Sequence, residues 1–466
     1  MAFTFTPLNQ SWIEPASEFV NSQFPEAVAT LGKLVKIPGI AWESFDSNSL
    51  DRSAAAVAAE LEALQMFDTV EIRRSAKPDG ELGAPAIVAR RAGAADAPHV
   101  LLYAHHDVQP PGARELWKTE PFEATLVGDR LFGRGASDDK SGIITHLYSL
   151  KTLKKLASSL RLGITVFIEG EEEAGSESFP NFLRENQADL EADLIIVADS
   201  GNWSEDVPAL TTSLRAMVSQ TFTIRTLDHA VHSGMYGGPL PDATGAMIKL
   251  LATLTDEQGN VAIAGLDSIP VDGPDLSDAE FGVAAGLLPG VKRLGTKSAT
   301  QQIWGEPAVT VIGMDIPQVD VSSNTAQPES RARISLRLAP SQDPDTGLEL
   351  LRQHISAHAP EGAVVEFGRS EKGPGYLAKN GWAAPMAHEA FGIAWQNPSV
   401  NIGIGGSIPF ISEFAEQFPN AEILVTGVEE PDSRAHSPNE SQHLPTLRRA
   451  ILAQALMLLN GNEMIR

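Results

Sequence analysis

A chain of 466 residues exceeds one typical domain core and sets two domains as the starting expectation. Hydrophobic residues at 42% and charged residues at 20% fit a globular protein, while a net charge of −25 argues against nucleic acid or an anionic membrane as partner, since both ask for a basic face. The absence of cysteine excludes disulfides, thiolate metal sites and a Cys nucleophile, so any metal must be held by His, Asp and Glu.

The opening MAFTFTPLNQSWIEP lacks a basic stretch followed by an apolar core, so no signal peptide is expected. No apolar run approaches the roughly 18 residues of a membrane helix, and a cytoplasmic protein is the resulting expectation. Residues 16–36 predict a helix through Phe19, Phe24, Val28, Leu31 and Leu34; residues 53–67 predict a second through Val57, Leu61 and Leu64. The apolar runs 84–92 and 99–107 read as strands, and 141–156 as an amphipathic helix. LGITVFIEG (162–170) and ADLIIVADS (192–200) are continuous apolar runs, the pattern of buried parallel strands. This alternation predicts an α/β fold, a layered, mainly parallel sheet with helices on both faces.

From about Thr212 the texture changes. MVSQTFTIRT (217–226) and RARISLRLAP (331–340) alternate apolar and polar residues, as antiparallel strands with one exposed face do. Helices are expected over 242–254 and 346–358, separated by a Gly/Pro/Asp-rich stretch near 259–290. A loop at 371–381 leads back to a core strand at 419–428 and a closing helix at 446–460. The predicted organisation is a catalytic domain in two parts, 1–211 and 379–466, interrupted by an inserted α+β domain over 212–378.

Several apolar strands run into acids or histidines: His105, His106 and Asp107; Glu171, Glu172 and Glu173; Asp199; and, after a loop, His436. Ligands in open α/β sheets bind beyond the carboxyl ends of the strands, so these ends are expected to converge. Each signal alone has a bland reading. A lone histidine at a strand end is more often a hydrogen-bonded core residue, and the pair Asp138, Asp139 before a helix can be a cap and dipole partner. Their joint occurrence shifts the balance. Clustered carboxylates repel and resist desolvation, and a pair of divalent cations removes that cost. Oxygen and imidazole donors without thiolate suit Zn²⁺, Mn²⁺ or Co²⁺.

The motifs YAHHDVQP, GRGASDDKSG, EGEEEAGS, VADS, DHAVHSGMYGG, GGSIPF and RAHSPNE span residues 103–440 and resemble, in that order, the di-zinc metallopeptidase family of carnosinases, Cys-Gly dipeptidases and aminoacylases. The resemblance implies a catalytic α/β domain binding two metals, zinc first among them, and an inserted lid domain that makes a homodimer. It implies His105, Asp138 and Asp199 on one metal, Asp138, Glu173 and His436 on the other, and a cis peptide after Asp138. His106 occupies a variable position. Asp107 matches the acid that orients the ligand imidazole, Glu172 the general base, and His232 a lid histidine stabilising the oxyanion in the partner subunit's site. Arg337, Asn324 and Ser407 match substrate contacts. Ala104, Ser137 and Ser141 depart from the residues usual there, but all are small. Asp199, where deacylases tend to carry Glu, favours hydrolysis of dipeptides or very short peptides over N-acyl-amino-acid deacylation. A non-catalytic binding protein of the same fold is the remote alternative, disfavoured because every matched position is filled.

Overall fold

The computed structural model describes residues 3–379, 381–406 and 408–465. The chain divides into two compact units. Unit 1 comprises Met1–Thr212, Ala378–Ile402 and Glu413–Arg466; unit 2 comprises Ser213–Leu377 and Gly403–Ser412.

Unit 1 is built on a twisted sheet whose four central strands are parallel, as the continuous apolar runs predict. In spatial order these are Gly163–Glu169, His99–His105, Leu194–Val197 and Glu422–Val425. Ala86–Arg91 and then Thr69–Arg73 extend one side antiparallel, and Ala209–Leu214 pairs antiparallel on the other, Thr211 opposite Val425. Both faces of the central strands are covered, so period-2 alternation appears as a choice between two cores. Val100, Leu102, Ala104, Val166, Ile168 and Ile196 join the helices Ile13–Val35, Lys140–Leu156, Ala383–Trp395 and Leu444–Glu463. Tyr103 and Phe167 turn to the opposite face and meet Phe179, Phe182 and Phe414, with ring centroids 4.9–6.4 Å apart.

Unit 2 contains a four-stranded antiparallel sheet in the order Ala308–Asp315, Glu329–Leu338, Ala216–Arg225, Val364–Gly373. Its apolar face, including Val218, Phe222, Ile334 and Leu336, packs on Met247, Leu250, Leu351 and Ile355 of the helices Ala243–Ala252 and Pro344–His358. Both helices start at an aspartate cap: Asp242 accepts from Gly245 N and Asp343 from Thr346 N. The other sheet face carries Arg331, Arg333 and Arg337, which gives the strand its alternating pattern. The Gly/Pro/Asp-rich stretch near 259–290 holds a further helix, Asp278–Ala284, opened by a capping box between Ser277 and Glu280. No helix among the described residues is long and apolar enough to cross a membrane.

Candidate metal centre and active site

The carboxyl ends of the central strands of unit 1 bring His105, Asp138, Glu172, Glu173, Asp199 and His436 together. His105 is the last residue of its strand. Glu172 and Glu173 sit in the short turn after Gly163–Glu169, closed by Gly175 at φ 96°, and Asp199 lies two residues past Val197. His436 stands in the loop after Glu422–Val425, and its backbone is left-handed at φ 62°. The Asp138–Asp139 peptide bond is cis.

Two groups of ligand atoms result. His105, Asp138 and Asp199 form one; Asp138, Glu173 and His436 form the other; within each, the atoms lie within 4.8 Å of one another. Asp138 belongs to both and divides its oxygens between them: Oδ1 is 3.0 Å from His105 Nε2 and Oδ2 is 3.0 Å from His436 Nε2. His436 Nε2 is also 3.1 Å from Glu173 Oε2, and His105 Nε2 is 3.9 Å from Asp199 Oδ1. A carboxylate with one oxygen toward each triad is the arrangement that bridges two cations. The donor set, three carboxylates and two imidazoles, therefore fits a pair of borderline or hard divalent ions.

The electrostatics carry the same mark of cations required. Asp138 and Glu173 push His436 up to about 11. Burial disfavours a charged His105, but Asp107 and Asp138 outweigh it and raise the ring well above the usual histidine range. Burial raises Asp199 to about 7, against the pull of His105. Glu172 is raised too, first by burial and then by Asp199, Asp138 and Glu173, while His105 opposes.

Supporting groups hold these side chains in place. Asp107 Oδ1 lies 3.3 Å from His105 Nδ1, whose nearest acceptor is the Asp107 carbonyl at 3.0 Å. The Asp107 carboxylate also accepts the amides of Glu172 and Glu173 at 3.2 and 3.1 Å, so one acid positions both the ring and the turn. His106 turns away: its Nε2 bonds the Pro85 carbonyl at 2.7 Å, and burial lowers it to about 4.

Sequence reasoning missed several partners. Glu440, fully buried, accepts the amides of Gly135, Ser137 and Asp138 and the Arg134 guanidinium, and so shapes the Asp138 loop. Its only sequence signal is that it closes the RAHSPNE motif. Gln109 donates to Glu173 at 2.7 Å, and Asp139 accepts the His105 amide at 3.2 Å. Glu171 caps backbone at Ala84 and Ser178, and Glu169 accepts the Tyr103 hydroxyl; neither enters the two triads. A third acidic group, Glu205, Glu430 and Asp432, is bound by Arg130 through Glu205 and Glu430.

The remaining predicted residues belong to unit 2. His232 is exposed, pairs with Thr325 and accepts from Gly234 N; Ser233 N donates to the Asn324 carbonyl at 2.9 Å, so the HSG turn and Asn324 are neighbours. Arg337 lies on the strand Glu329–Leu338, opposite Met217, with no ion-pair partner among the described residues. Arg215 donates to the carbonyls of Gly405, Gln302 and Glu306, and burial, with repulsion from Arg337, lowers it to about 10. Ser407 lies outside the described residues.

A mainly parallel α/β sheet whose strand ends converge on two carboxylate-bridged triads, with a free glutamate beside them, defines a metallopeptidase. The chain belongs to Peptidase family M20/M25/M40, whose profile matches residues 101–460. It is 31% identical over 465 residues to the cysteinylglycine-S-conjugate dipeptidase of Corynebacterium striatum, covering 98% of this chain and 97% of that one. It is 25% identical to the Beta-Ala-His dipeptidase of Rattus norvegicus over 76% of this chain and 75% of the relative. Among solved structures, human carnosine dipeptidase 1 shares the fold with a TM-score of 0.75 at 21% identity, covering 98% of this chain and all of that one.

Proposed function

We propose that this protein is a dipeptidase that hydrolyses the peptide bond of dipeptides or very short peptides. The observation that carries the reading is the pair of triads sharing Asp138, with Glu172 Oε2 4.0 Å from His105 Nε2 at their edge. The names of the relatives, a cysteinylglycine-conjugate dipeptidase and a Beta-Ala-His dipeptidase, support the substrate class.

His105, Asp138 and Asp199 would hold one divalent cation and Asp138, Glu173 and His436 the other, zinc by donor chemistry, with manganese or cobalt as alternatives. When bound, the two cations supply Lewis-acid polarisation of the scissile carbonyl and a water of lowered pKa. Glu172 accepts a proton from the attacking water; as the C–N bond breaks, it delivers that proton to the leaving amine. Asp107 keeps His105 and the Glu172 turn in register.

The inserted segment, 212–378 between catalytic parts 1–211 and 379–466, serves as lid and dimerisation domain in this reading. His232 donates to the oxyanion in the partner subunit's site. Arg337, which has no acidic partner among the described residues, receives the substrate carboxylate, and Asn324 and Ser407 are further substrate contacts in this reading.

Amine release from a panel of free dipeptides, N-acetyl and N-succinyl amino acids, each with Zn²⁺, Mn²⁺ or Co²⁺, tests the proposal. Turnover of dipeptides is expected; turnover confined to the N-acyl compounds would replace the reading with a deacylase.

A further inference from the structure

One acid in unit 1 has no place in the scheme above. Glu429 follows the strand Glu422–Val425, and its backbone is clamped to the segment just past Asp199. Gly201 bridges to it, and Asn202 donates to its carbonyl through both N, at 2.8 Å, and Nδ2, at 3.0 Å. Asn202 Nδ2 reaches the Gly427 carbonyl as well. The loop is therefore held firmly, and the Glu429 side chain is carried by the same strand ends that carry the triads.

That side chain is partly buried, and its Oε1 is sealed from solvent with no hydrogen-bond partner among the described residues. The charged groups acting on it are Asp138, Asp199, Glu440 and His436, so it shares the field of the candidate metal centre. It joins neither triad. The other acids nearby are accounted for: Asp138, Asp199 and Glu173 in the triads, Glu172 as base, and Glu440 by Arg134 and three amides. Glu430, the next residue, is bound by Arg130 and Ser433. Asp139 accepts the His105 amide, whereas Glu429 Oε1 meets no donor among the described residues. A desolvated carboxylate in that position is unfavourable unless a positive group meets it in the working complex.

We propose that Glu429 is a specificity-determining residue whose carboxylate receives the free α-ammonium of the dipeptide. This rests on the dipeptidase reading and deepens it. An N-acylated amino acid, neutral where the ammonium would be, lacks this contact.

Alanyl-glycine and propionyl-glycine test this, because they differ only in the ammonium group. Turnover of alanyl-glycine is measured for the wild-type chain, Glu429→Gln and Glu429→Asp, with propionyl-glycine as competitive inhibitor and metal content read by atomic emission. A charge-assisted hydrogen bond predicts that kcat/KM for alanyl-glycine falls about 10- to 100-fold in Glu429→Gln. Inhibition by propionyl-glycine should stay within about threefold of wild type, two metals per chain should remain, and Glu429→Asp should recover part of the loss. Equal weakening toward both compounds, unchanged turnover of alanyl-glycine, or a loss that follows falling metal content would each overturn the proposal. If the variants do not fold, the wild type decides: it must bind alanyl-glycine roughly tenfold or more better than propionyl-glycine. A wild type that cleaves N-acyl amino acids but no free dipeptide would sink the dipeptidase reading itself, a result distinct from any failure of Glu429.

Discussion

Glu172 and Glu173 are adjacent in the chain and meet different surroundings. The Glu173 side chain is 2% exposed and is engaged by Gln109 and His436. The Glu172 side chain is 21% exposed, and its Oε2 lies 4.0 Å from His105 Nε2. One carboxylate is immobilised and the other is free to handle a proton. Glu172→Gln is therefore expected to retain two metals per chain and to lose about 10²- to 10⁴-fold in kcat. Mixing it with His232→Ala chains should restore part of the activity through hybrid dimers. Undiminished turnover in Glu172→Gln would contradict the base assignment, and mixtures no more active than their parts would contradict the role of His232 across subunits. At this scale the sequence named the side chains because their types are distinctive. It did not reveal Glu440 or Gln109, whose work is done through amides and hydrogen bonds that leave no compositional trace. The resemblance separated the four acids of EGEEEAGS, assigning Glu172 as base and Glu173 as ligand, but not what holds their turn: Asp107 accepts the amides of Glu172 and Glu173, and Glu171 those of Ala84 and Ser178.

Among the elements, the strongest constraint is where strands end. Continuous apolar runs marked the central strands within a few residues, because burial on both faces writes itself into composition. The short helix Asp278–Ala284 escaped because seven residues carry little periodicity, although its Ser277–Glu280 capping box was present to be read. Close approach between loops was invisible. A Cβ on Gly427 would stand 1.2 Å from the Ser200 carbonyl oxygen, a contact that no side-chain rotation relieves. Gly427→Ala is expected to push the Ser200 backbone, next to Asp199, and to destabilise the chain by about 1–3 kcal/mol or more. Urea unfolding, with metal content measured in parallel, checks this. A midpoint unchanged from wild type would mean that the two loops are not held together as described.

For the molecule as a whole, the site is a store of unfavourable charge in the absence of cations. Asp199 is raised from its ordinary 3.8 to about 7, and Glu172 and Glu429 are raised as well. A carboxyl raised on folding costs nothing while protonated in both states; its penalty grows as pH climbs from the unfolded value through the folded one, for Asp199 between about 4 and 7. His436, raised from 6.5 to about 11, adds stability that is complete below the unfolded value and fades as pH rises toward the folded one. Both trends weaken the metal-free chain as pH rises, whereas cations bind the deprotonated ligands and gain with pH. The difference in thermal midpoint between metal-loaded and chelator-treated protein should therefore widen from about pH 5.5 to about pH 8. A constant or narrowing difference in thermal scans would contradict the picture of carboxylates raised by burial and mutual repulsion.

The sequence by itself determined the layered α/β class, the antiparallel character of the inserted strands and the restriction of any metal chemistry to His, Asp and Glu, because burial and donor type are properties of residues and their spacing. Only the tertiary structure decided that Asp138 turns one oxygen to each triad, that His106 bonds the Pro85 carbonyl, and that the backbone of Glu429 is clamped to the segment after Asp199. Those outcomes depend on which strand ends lie side by side and on which amides pin the loops between them, and such long-range contacts are not encoded in any local stretch of chain.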